Sequence, residues 1–71
     1  MNAFPVAGVD VSKHFSDMCI LTPVNEVFER VKIYHDPTSM DRALGFLQRA
    51  EQQFAAKPVI VMESTSHYHL L

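Results

Sequence analysis

Apolar residues fall on both faces of the stretch Phe4 to Val11 (Phe4, Val6, Ala7, Val9, Val11), the pattern of a central strand covered on both sides. Phe15 to Thr22 reads as a second strand. Pro23-Val24-Asn25-Glu26 supplies turn residues before a third, Val27 to Tyr34. In that third strand Val27, Val31 and Ile33 point to a core, with Glu29 on their side, while Arg30, Lys32 and Tyr34 stand opposite. One-sided burial of this kind suits an edge strand whose charges discourage stray pairing. Asp36-Pro37-Thr38-Ser39 then signals a helix start: Asp36 or Thr38 can cap free N–H groups, Pro37 suits the first turn, and Thr38 to Asp41 has capping-box spacing. Met40, Ala43, Leu44, Leu47, Ala50 and Phe54 recur at helical spacing and predict one apolar stripe of about four turns. Pro58 is the expected stop, and Val59-Ile60-Val61-Met62 reads as a buried parallel strand. Ser64-Thr65-Ser66 offers caps for a further helix beginning at His67, one turn before Leu71. A chain that stops there reads as the N-terminal part of a larger domain.

The order strand, strand, strand, helix, strand predicts an α/β fold. A three-stranded antiparallel meander is followed by a right-handed crossover helix and a strand parallel to the first. At 71 residues the chain is one domain at most, and a chain this short hides only about 60% of its unfolded surface. Hydrophobic residues at 48% and charged residues at 20% exclude a disordered polymer. A net charge of -2 and a pI near 6.0 exclude a basic footprint spread over the whole chain, so any nucleic-acid contact is local. The single cysteine, Cys19, forms no internal disulfide and reads as a small buried thiol, in keeping with a reducing, cytoplasmic setting. The apolar runs fall far short of the roughly 18 residues of a membrane span.

Two carboxylates interrupt this pattern: Asp10 inside the first apolar strand, and Glu63 directly after the last. If those strands are neighbours, the two acids come close. At ~4 to 5 Å they repel by about 3 to 4 kcal/mol at an effective dielectric near 20, so that one takes up a proton or a divalent cation sits between them. Incomplete carboxylate sites suit magnesium or manganese, and ion pairs about 3.5 to 4 Å apart serve phosphodiester cleavage. A plainer reading has Asp10 accepting hydrogen bonds from Ser12 or Lys13, and Glu63 as the first polar residue after a strand, facing a helix start.

Gly8-Val9-Asp10-Val11-Ser12-Lys13, followed by Val61-Met62-Glu63-Ser64-Thr65-Ser66-His67-Tyr68, resembles the N-terminal part of the DEDD transposases of bacterial insertion sequences. The likeness is to the one-hundred-ten group and the related Piv-type DNA invertases, and it covers essentially the whole chain. It implies a partial RNase H-like, RuvC-like catalytic domain over residues 1–71, cutting and rejoining DNA with Mg2+ or Mn2+. By that resemblance Asp10 and Glu63 are the first two of four catalytic, metal-binding acids; the other two lie in a later helix motif. It further implies DNA as substrate, a structured guide RNA in some relatives, and a homo-oligomer. The family's glycine after the Glu-x-Thr step is Ser66 here, which would strain a backbone that needs glycine's freedom. Lys13 is a candidate phosphate contact and Tyr68 matches an aromatic position of the family. His67 and His69, two apart on a helix, do not share a face and make a poor zinc pair.

Two other functions fit the same strand order. One is a phosphate-binding domain of the actin and sugar-kinase type, against which Val11-Ser12 stands where glycine would admit phosphate. The other is a non-catalytic interaction or oligomerisation module that docks through an open sheet edge.

Overall fold

Alternating burial along three short strands, and a helix that starts where the capping signal lies, produce the expected order of elements. The computed structural model describes residues 3–64: β1 (Val6–Val11), β2 (Phe15–Leu21), β3 (Val27–Tyr34), α1 (Pro37–Phe54) and β4 (Val59–Ser64). The helix expected from His67, with Ser66, Tyr68 and His69, lies outside the described residues. The sheet order is β3-β2-β1-β4. β1 pairs antiparallel with β2, β2 antiparallel with β3, and β4 returns parallel to β1. This is the meander, crossover helix and parallel strand of a partial RNase H-like domain.

Local chemistry explains each turn. Ser12 donates both its backbone N–H (2.9 Å) and its hydroxyl (2.7 Å) to the Phe15 carbonyl, closing the β1–β2 hairpin over exposed Lys13 and His14. Between β2 and β3, Thr22 Oγ1 accepts from the N–H groups of Val24 (3.3 Å) and Glu26 (3.1 Å). There Asn25 takes the left-handed conformation, φ 66°, that asparagine tolerates better than most residues. Asp36 is the helix cap, its Oδ1 accepting from Ser39 N–H at 2.8 Å with Pro37 in the first turn. Thr38 does not serve that role.

α1 packs on one face of the sheet. Ala7, Met18, Ile20, Val31 and Ile33 meet Ala43 and Ala50 of the helix, with Val9, Phe28, Phe46, Leu47 and Phe54 packed around them. Four details depart from the sequence pattern. The helix contact face runs through Ala43, Phe46, Leu47, Ala50 and Phe54, leaving Met40 and Leu44 about half exposed. A bulge at Ile20/Leu21 shifts the β2–β3 register, so that Leu21 pairs with Val27 and Ile20 with Glu29. Phe28 therefore packs on the core, meeting Phe54 edge-on at 5.6 Å, while Val27 is exposed. The helix ends three residues before Pro58, at Ala55 in the left-handed conformation (φ 54°), where its N–H bonds the Glu51 carbonyl.

β4 is the largest departure. It forms a sheet edge, and Val59, Ile60, Val61 and Met62 are 43 to 65% exposed. The apolar burst correctly marks a parallel strand next to β1, but the expected cover on both faces is missing among the described residues. Its entry is fixed by the Val59 N–H, which donates to the carbonyl of buried Pro5 at 2.9 Å.

Candidate catalytic face of the sheet

In a pleated sheet, residues in register across neighbouring strands project from the same face. Asp10 of β1 is in register with Glu63 of β4 on one side and with Asp17 of β2 on the other, and Asp17 is in register with Lys32 of β3. The strands thus carry the row Glu63, Asp10, Asp17, Lys32. Two residues away along each strand, on the same face, runs a second row: Val61, Gly8, Cys19, Arg30. Both rows lie opposite the core face, since the buried Ala7, Met18, Ile20, Val31 and Ile33 alternate with them. Together they line an open concavity of about 760 Å³.

The two acids singled out in the sequence are therefore neighbours on the solvent face. Neighbouring strands are about 4.8 Å apart, which puts their backbones within the range considered above. Asp10, Asp17 and Glu63 are all exposed, so solvent and salt screen the repulsion among them. Ser12 does not serve Asp10, because its hydroxyl is spent on the Phe15 carbonyl.

Asp17 is the acid that sequence reading passed over. Its signal was present in the hairpin: a turn closed between Ser12 and Phe15 pairs Asp10 with Asp17. Cys19 is likewise not a core thiol. It is half-buried on the open face, because it shares the parity of Asp17 rather than that of Met18 and Ile20. A Cβ added at Gly8 would meet nothing within 4 Å, so the missing side chain simply leaves the floor of the concavity bare beside Asp10. Lys13 is exposed at the β1–β2 turn, at the end of the strand that carries Asp10. His14 and His35 are exposed, with His35 Nε2 3.4 Å from Ser16 Oγ.

Among the described residues no three His, Cys, Asp or Glu side chains are gathered as a ready metal cage. A pair of carboxylates open to solvent is the kind of donor set that a hard divalent cation takes. Magnesium keeps several of its waters and is held by one or two carboxylates together with substrate phosphates, which suits a solvent-facing pair of oxygen donors.

A family model for the DEDD transposases of the IS110 group, described as a transposase, matches residues 7–71. The chain belongs to this transposase family. The match spans both acid-bearing strands and the helix between them, and membership makes DNA the partner of the transposase. No curated protein and no solved structure gives a significant match to the chain. No helix among the described residues is long and apolar enough to cross a membrane.

Proposed function

We propose that this chain is the first part of the RNase H-like catalytic domain of an IS110-group transposase, in which Asp10 and Glu63 hold a divalent cation, Mg2+ or Mn2+, for cutting and rejoining DNA strands. One observation carries the reading: in a chain of this family, the two acids of the paired motifs stand in register on adjacent strands, on the face left open by the helix. Bound there, the cation would stabilise charge on the phosphodiester undergoing displacement.

The chain's own residues supply the setting. β1 and β4 are hydrogen-bonded neighbours, so the backbones that carry Asp10 and Glu63 are held one strand spacing apart. Exposure of both carboxylates leaves room for waters and for a phosphate to complete the ion's shell. Lys13, at the hairpin beyond Asp10, contacts backbone phosphate and positions the strand without reading its sequence. Two further acids complete the DEDD set in this family, so the present pair is half the ligand complement. The same reading includes a homo-oligomer and, as in some relatives, a structured guide RNA that directs the choice of DNA.

The test is strand exchange by the transposase that carries this domain. Asp10→Ala and Glu63→Ala should each abolish exchange while melting at the wild-type temperature, because both positions are exposed and neither substitution opens a core cavity. Exchange at the wild-type rate in either variant removes the assignment.

A further inference from the structure

The open face carries, beside its acids, a group of residues that metal binding does not use. Phe15 and Tyr34 are register partners on β2 and β3, their ring centroids 6.5 Å apart at an interplanar angle of 55°. The Nζ of Lys32 lies 4.4 Å from the centre of the Phe15 ring. Arg30, two residues before Lys32 on the same face, lines the concavity with Lys32, Asp10 and Glu63. Tyr34 is 52% exposed, so part of its ring is open to a ligand. An aromatic cross-strand pair and an edge lysine each help a sheet on their own account. Here they adjoin one another, and they share the face of the two motif acids.

We infer that Phe15, Tyr34, Lys32 and Arg30 form a platform for an unpaired stretch of the DNA strand whose phosphate is brought to Asp10 and Glu63. The inference rests on the catalytic reading of those acids and adds the surface that holds the substrate. Single-stranded nucleic acid is bound by aromatic rings that stack bases and by cations that track the backbone, and a lysine over an aromatic ring combines the two. Charge complementarity sets the direction of the strand. Asp10, Asp17 and Glu63 repel phosphate, whereas Lys32 and Arg30 on β3 attract it, so the strand reaches the acids from the β3 side. From β3 to β1 is two strand spacings, roughly 10 Å, so the cations and the acids act on one short stretch of backbone. Bases flanking the reacting phosphate then fall over Phe15 and Tyr34.

Fluorescence anisotropy of labelled oligothymidylate with the protein, in chelator and without divalent metal, tests this apart from the metal pair. Tyr34→Ala is expected to weaken binding about tenfold, the usual effect of removing a stacking ring. Lys32→Gln should lower the slope of log affinity against log salt by roughly 0.7 between ~50 and ~200 mM. Phe15→Leu, which keeps the apolar bulk, should weaken binding in the same direction, and Asp10→Asn should bind at least as tightly as wild type. Circular dichroism confirms that each variant is folded. The inference fails if the wild type does not bind, if folded Tyr34→Ala and Lys32→Gln bind as well as wild type, if Asp10→Asn weakens binding as much as Tyr34→Ala, or if an RNA oligonucleotide of matching sequence binds more tightly than the DNA. Strand exchange by the Asp10 and Glu63 variants is a separate measurement, so failure of the platform and failure of the catalytic reading are told apart.

Discussion

Asp10 is conspicuous in the sequence because a strand with apolar residues at Val6, Ala7, Val9 and Val11 has no local use for a carboxylate, and the structure puts it on the face where a carboxylate can be solvated. The same parity takes Cys19 out of the core and brings Asp17 beside Asp10, two consequences of a hairpin register that composition alone does not display. Phe28 shows the limit of simple alternation. One bulged residue moves the inward position from Val27 to its neighbour, and the signal for it is a two-against-one mismatch between strands, visible only once they are paired. Gly45 is the plainest case of a residue whose effect is local. It sits inside α1, and a Cβ added there meets nothing within 4 Å. Gly45→Ala is therefore expected to stabilise the protein by about 1 kcal/mol, read as a higher urea midpoint with an unchanged slope.

α1 owes its ends to different physics. Its start is written in Asp36-Pro37, where a side-chain oxygen satisfies the Ser39 N–H that the first turn leaves free. Asp36→Ala should cost about 1 kcal/mol, and thermal melting should show it as a drop of roughly 4 to 8 °C for a domain of this size. Its end has no comparable marker. Ala55 turns left-handed, a conformation that alanine does not favour, and the chain leaves the helix before Pro58 can act. The apolar stripe has the helical period expected of it, and Ala43, Leu47, Ala50 and Phe54 do face the sheet. Met40 and Leu44 fall roughly 60° and 100° to one side of it, because the centre of the contact runs through the small Ala43 and Ala50, which let the helix approach.

Across the molecule, stability is concentrated under the helix. Ile20, near the end of β2, is fully buried, whereas Leu47 is only partly buried at the rim. Ile20→Ala should cost about 2 to 5 kcal/mol and Leu47→Ala clearly less, as measured by denaturant unfolding; an equal loss at both positions would mean that the core is not centred on β2. The identity and order of the elements, and the strands on which Asp10 and Glu63 ride, were legible in the chain, because hydrophobic period, turn residues and helix caps are short-range signals carried by neighbouring residues. The row that joins Glu63, Asp10, Asp17 and Lys32 came from strand pairing, and the exposure of β4 came from the reach of the helix. A helix about 10 to 12 Å across covers roughly two strands spaced 4.8 Å apart, and α1 lies over β2 and β3. Apolar character could mark β4 as a strand that seeks burial; whether anything covers it depends on surface brought from elsewhere in space, which no local pattern of residues encodes.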